Sequence, residues 1–332
     1  MRLTGLAVLV SVFLVSVAPI EARKLDANAP PMTVGILLFD GVQIIDFTGP
    51  YEVFGQAGMN VWTASVGGKS ITTHMGMTVM PTYALADAPR PDVLVLPGGN
   101  VPHMVPADDP RLPWILERAG ASQAVLSVCN GVFYLASAGL LDGKRATTYA
   151  MMLEHLRMMY PNIEVVDNER VVDNGRVVTA GGLSSGVDGA LYLVARLYGE
   201  ARARQVANNM EYDWRPQSDY LRAKLADVYI HQLIDFFPPM SRRVDEVYEG
   251  DDVRWRLRWR IAWPEPVEKM RQQFANSARE AGWRPEGGWD DINWTSSNWA
   301  FTGRDGTPWA AQAAIYERED GQIVLDVHVE RG

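Results

Sequence analysis

The chain of 332 residues contains a single cysteine, Cys129, so it forms no internal disulfide. Its five histidines are scattered, and no cysteine-and-histidine spacing typical of zinc is present. Cationic side chains are in the minority: 31 Lys and Arg face 40 Asp and Glu, a formal net charge of -9. That balance argues against a phosphate-binding surface, so nucleic acid is not an expected partner. An internal repeat is also missing. The apolar run near the start, Leu6–Ala18, is shorter than the ~20 residues of a comfortable membrane span.

What remains is the composition of a folded protein, 47% hydrophobic and 21% charged. Arg2, the apolar run and Ala22 read as a secretory signal over residues 1–22, with an uncleaved anchor as the alternative. An exported protein, periplasmic or secreted, is therefore expected. Residues 23–32, bearing Pro30 and Pro31, form a linker. In an exported chain a lone cysteine is either a small buried hydrophobe or a reactive thiol.

From Val34 onward short apolar runs alternate with helical patterns. "VGILLF", "VWTASV", "DVLVLPGG" and "AVLSV" read as strands, with helices near Thr48–Pro50, over "LPWILERAG" and over "GVFYLASAG". This implies an α/β domain over 33–240, a mainly parallel sheet with helices on both faces. Loops that carry chemistry in such sheets gather at the carboxyl ends of the strands. Pro97-Gly98-Gly99, Cys129 and Gly181-Gly182 each follow a strand and are expected on one edge.

Composition shifts near residue 245, beyond which eight of the 11 tryptophans lie. In "VRWRLRWRIAW" Trp255, Leu257, Trp259, Ile261 and Trp263 alternate with Arg254, Arg256, Arg258 and Arg260, a period-two strand signal. An amphipathic helix ended by Gly282 and a type I′ hairpin at Asp320-Gly321 complete a small β-α-β-β domain over 246–332. Its aromatic row either covers the helix as core or binds a sugar or a partner. The arginine face is either solvated or meets an acidic surface, and its partner is not identified by the sequence.

Cys129 ends a strand and opens a helix, on a tight turn that Gly131 permits. A thiol there faces unpaired backbone N–H groups and the positive end of a helix, which predicts a pKa below the usual ~8.5. Gly98 and Gly99, lacking side chains, are candidate N–H donors to an oxyanion.

"LFDGVQIIDFTGP", "VLVLPGGN", "LSVCNG", "LLDGKRATTY" and "NERVVDNGRVVTAGGLSSGVDGAL" together resemble the ThiJ/PfpI branch of the class I glutamine-amidotransferase-like superfamily, over about residues 33 to 212. The fold implied is flavodoxin-like with a nucleophile elbow. "DFTGP" is most similar to the isonitrile-hydratase subset and to the N-terminal domains of AraC-type regulators. The resemblance implies that Cys129 is the nucleophile and that Asp46 shuttles a proton. It implies oxyanion contacts at Gly99 and the Cys129 backbone, no cofactor, a small-molecule substrate and a homodimer. The implied reaction is cysteine-dependent hydration of a small electrophilic carbon. The alternative is a non-catalytic protein that binds a small molecule or senses oxidants at the same pocket.

Two positions depart from the family. Asn130 stands where relatives carry His or Thr, and Tyr149 stands where many carry His. No histidine is then evident beside the thiol, which argues against Cys–His–acid protease or amidase chemistry. Asn130 is either a ligand contact or the first helical residue. Tyr149 is either a substrate contact or a core aromatic. Asp46 has a second, weaker reading as a helix cap or first-turn charge, and His103, past the Gly-Gly turn, reads as a loop histidine that can approach the pocket.

Overall fold

A computed structural model describes residues 30–218, 222–234, 243–288 and 295–332. The expected signal, most of the linker, Trp289 and Trp294 lie outside the described residues. The chain divides into two compact units, Met1–Leu140 with Val171–Trp214, and Leu141–Arg170 with Arg215–Gly332.

In the first unit the elements are β1 (Thr33–Leu37), α1 (Ile44–Gln56), β2 (Asn60–Ser65), β3 (Tyr83–Ala84), β4 (Val93–Leu96), α2 (Arg111–Ala121), β5 (Ala124–Val128), α3 (Val132–Ser137), β6 (Val171–Asn174), β7 (Val177–Ala180), α4 (Ser184–Tyr198) and α5 (Glu200–Asn209). The seven strands run in the order β6-β7-β5-β4-β1-β2-β3. All neighbours are parallel except β6 and β7, which form a hairpin at Gly175. Every residue of β4 and β5 is buried, as strands covered on both faces require. Helices α1, α4 and α5 pack with one another, and α2 packs with α3.

Helix α1 begins at Ile44, earlier than the turn at Thr48–Pro50 suggests, and carries Pro50 inside it. The Thr48 hydroxyl donates to the Ile44 carbonyl at 2.8 Å within this turn. The earlier start places Asp46 in the first turn of the helix.

The second unit carries β8 (Arg243–Gly250), β9 (Arg254–Ile261), α6 (Val267–Glu280), β10 (Arg284–Pro285), β11 (Ser296–Thr302), β12 (Pro308–Glu317) and β13 (Ile323–Arg331). These strands form an antiparallel sheet in the order β8-β9-β13-β12-β11-β10. Three strands, β8, β10 and β11, exceed the β-α-β-β pattern read from the sequence. β8 is polar and largely exposed, so it shows no alternation, and β10 is only two residues long.

The tryptophan row is core: Trp255, Leu257, Trp259 and Ile261 are buried with Met270 and Phe274 of α6. Phe274 meets the rings of Trp283 and Trp299 edge-on at 6.4 and 6.0 Å, the favoured offset for aromatic pairs. On the opposite face Arg256 and Arg258 pair with Asp326, and Arg260 with Glu246. The β12–β13 turn is not the two-residue type I′ form. The Gly321 N–H bonds to the Arg318 carbonyl at 3.0 Å, and Gly321 follows at φ +75, the three-residue arrangement closed by a glycine.

Candidate active site

Strand β5 delivers Cys129 directly into a three-residue 3-10 turn, Cys129–Gly131, that leads into α3. Cys129 has φ +55, a left-handed conformation that costs a side-chain-bearing residue energy and is held only by its surroundings. Two glycines make the surroundings possible. A Cβ on Gly131 would lie 2.0 Å from the Leu96 carbonyl oxygen, so only glycine lets the turn sit against the end of β4. A Cβ on Gly98 would meet the Asn130 nitrogen at 2.6 Å, the Cys129 Cβ at 2.7 Å and an Asp46 carboxylate oxygen at 2.8 Å. Gly98 is thus the point where the strand end, the thiol and the acid converge.

Asp46 is fully buried, and its carboxylate is held by backbone rather than by a cation. The Gly98 N–H donates to Oδ2 at 3.2 Å and the Leu183 N–H to Oδ1 at 3.1 Å. A side-chain hydrogen bond joins it to the Cys129 thiol. Asp46 is therefore not a cap of its own helix; its partners come from two other loops at the same sheet edge. Burial raises its pKa to about 6, against the opposing pull of the Leu183 N–H, the thiol and the Gly98 N–H.

The expected low thiol pKa is overturned. Burial pushes the Cys129 thiol well above its ordinary range, and the neighbouring Asp46 charge pushes it further. Only the Asn130 N–H draws it down. The helix that follows spans six residues, and its dipole does not offset desolvation beside a carboxylate. At neutral pH the resting pair is a thiol donating to a carboxylate.

The remaining candidates fall as follows. Gly98, expected to offer an N–H to an oxyanion, has that donor committed to Asp46. The Cys129 N–H, expected in the same role, is bonded to the Gly181 carbonyl at 3.2 Å. Gly99 has φ +124, and its carbonyl accepts from Asn130 Nδ2 at 3.2 Å. Asn130 Oδ1 lies 3.9 Å from the cysteine sulfur, so its amide ties the elbow to the Gly-Gly turn. Tyr149 belongs to the second unit, half-buried ahead of the short turn Ala150–Met152. His103 is half-buried, its ring 5.1 Å from that of Phe133 in α3.

One residue escaped the sequence reading. Leu183 has φ +56 and ψ -115, a conformation normally left to glycine, and it aims its N–H at the acid. The only sequence signal was the preceding Gly181-Gly182 turn.

Residues 32–196 match the model of the DJ-1/PfpI family. An isonitrile hydratase of Pseudomonas putida is 36% identical over 194 residues, which cover 57% of this chain and 82% of that protein. An HTH-type transcriptional regulator, CdhR of Pseudomonas aeruginosa, is 30% identical over 203 residues, 58% of this chain and 59% of the regulator. The crystal structure of a ThiJ/PfpI family protein from Pseudomonas syringae superimposes with a TM-score of 0.51 at 27% identity, covering 57% of this chain and 78% of that one. Relatives of the matched region thus include both an enzyme and a regulator.

Proposed function

The chain belongs to the DJ-1/PfpI family, and from that premise we propose that it is a cofactor-independent thiol enzyme that hydrates a small electrophilic carbon, the isonitrile group being the favoured substrate. The observation that carries the reading is the Cys129 thiol hydrogen-bonded to the buried Asp46 carboxyl. A group of pKa about 6 is matched to proton transfer near neutrality. Asp46 takes the thiol proton as sulfur bonds to the terminal carbon of the isonitrile. The protonated acid then returns that proton to the same carbon, giving a thioimidate. Water adds to the carbon, the nitrogen gains a proton, the carbon–sulfur bond breaks and the thiol re-forms. One isonitrile and one water become one N-substituted formamide, with no change of oxidation state in the protein.

Turnover of an alkyl isonitrile, followed as formamide by gas chromatography, tests the proposal. Wild type is expected to turn over, while Cys129→Ala and Asp46→Asn are not. Equal rates in all three would end it. Export, suggested by residues 1–22, is part of the proposal. Mature protein in the periplasm or medium with a new N-terminus near Arg23 supports it, and protein confined to the cytoplasm with Met1 intact refutes it.

The raised thiol pKa and the regulator relative favour one second reading, a pocket that binds a small molecule without turning it over. Ligand-induced thermal stabilisation that persists in Cys129→Ala, with no turnover in wild type, would select it. Oxidant sensing fits less well, since a protonated, buried sulfur reacts slowly with peroxide.

A further inference from the structure

We propose that the outer face of the second unit's antiparallel sheet is a binding groove for an uncharged, β-linked oligosaccharide. The proposal is independent of the thiol chemistry and uses none of its residues. Opposite most of the tryptophan core, and reaching Trp255 at the β8–β9 turn, the sheet carries a cavity of 680 Å³, within the size range of small-molecule sites. Strand register sets its lining. Glu249, Arg256, His328 and Gln312 are direct neighbours across β8, β9, β13 and β12, one hydrogen-bonding side chain per strand. Beside that row run Asp326, Ala314 and Ser296, again on adjacent strands. Ala314 has little side chain, so it leaves the trough open between taller polar walls.

Charge selects the ligand class. Among the lining residues Arg254 and Arg256 oppose Glu249, Asp251 and Asp326. A groove for a polyanion would hold its guanidinium groups free, yet Arg256 and Arg258 both converge on Asp326. A groove for a cation would hold its carboxylates free, yet Asp326 is taken by those same arginines, Asp251 faces Arg254, and Glu249 stands directly across from Arg256. Asp326 lies below the usual carboxylate range despite its burial, because both guanidinium groups hold its charge. What the groove offers is a dense, largely ion-paired set of donors and acceptors: amide, imidazole, guanidinium edge and hydroxyl. That set suits vicinal hydroxyl groups, each of which both donates and accepts. Successive strands are about 4.8 Å apart, close to the repeat of a chain of β-linked sugar rings, so successive rings would meet successive strands.

Isothermal titration of the full chain with cellotetraose and with chitotetraose tests the proposal, with sulfated dextran and trilysine as charged controls. Saturable binding of one neutral tetrasaccharide is expected. It should weaken about tenfold in Gln312→Ala, the cost of one or two hydrogen bonds. It should vanish in Ala314→Trp, which fills the trough, and persist in Cys129→Ala. Ser296→Ala serves where Ala314→Trp does not fold. No saturable heat with either tetrasaccharide, preferential binding of a charged control, or equal affinity in wild type and both groove variants would overturn it. Loss of binding in Cys129→Ala would place the sugar elsewhere and overturn it too.

Discussion

Replacing Asp46 by Asn should change how stability depends on pH, and the size of the change follows from the burial of the carboxyl. Its pKa rises from 3.8 to about 6 on folding. At about 1.36 kcal/mol per pH unit, keeping this group ionised inside the fold costs about 3 kcal/mol at neutral pH. A folded-state pKa above the unfolded one gives stability that is fully present below about pH 3.8 and lost as pH rises through about 6. The amide in Asp46→Asn would carry no charge at any pH, so the loss should disappear. Asn offers one acceptor oxygen where the carboxylate offers two, leaving the Gly98 or the Leu183 N–H unpaired at about 1 kcal/mol. The variant should therefore gain about 2 kcal/mol on wild type at pH 7.5 and little or nothing at pH 4. The lone thiol supplies the assay: in urea, Cys129 becomes alkylatable when the first unit opens, so protein equilibrated at each pH and pulsed with reagent after a brief jump to about pH 8, where thiolate forms, reads that unit's unfolding without interference from the second. Taking the difference between the proteins at each pH cancels all other titrating groups. Parallel stability curves for the two proteins between pH 4 and pH 7.5 would refute a buried, ionised Asp46.

Native-state alkylation of Cys129 should stay slow at pH 7, and its onset should move to lower pH in Asp46→Asn, because a repelling charge is removed; an unmoved onset in a rate–pH profile would contradict the contact. Gly98→Ala should reduce kcat by about 100-fold through misplacement of the reacting groups, with far-UV circular dichroism unchanged, since the added methyl strikes the Cys129 Cβ, the Asp46 carboxylate and the Asn130 nitrogen together. Leu183→Gly should raise the melting temperature by releasing about 1–3 kcal/mol of backbone strain, while loosening the acid and lowering kcat; a lowered melting temperature would deny the strain. In the second unit Trp259→Ala should cost about 3–5 kcal/mol, visible as a lower urea midpoint in the tail's tryptophan fluorescence.

Much of this was legible in the chain itself, and the reasons differ by region. The buried parallel strands announce themselves because both faces are covered, so "VLVL" and "AVLSV" are apolar almost throughout. The arginine–tryptophan alternation of β9 is equally plain, because one face is core and the other is not. The elbow could be located because a strand, a cysteine and Gly131 occur in that order. The thiol's proton affinity could not, since it depends on a carboxylate 83 residues earlier in the chain and on the depth of both groups. Leu183 was invisible because nothing in the identity of a leucine signals a left-handed backbone. β8 was missed because an edge strand with polar side chains on most of its length has no periodicity to read.

The clasp on Asp46 has a consequence for the order in which the protein matures. Its two backbone donors lie 52 and 137 residues further along the chain. A nascent polypeptide emerging from the ribosome shows its acid early, its sulfur next and the second donor last. Until the stretch around Leu183 docks, Asp46 lacks one of its two backbone donors, and a pulse of alkylating reagent during refolding would mark chains whose thiol is not yet buried. Both are contacts of high sequence separation, whose loop-closure cost precedes their reward, so the acid is fully clasped only once residues 137 positions apart have met.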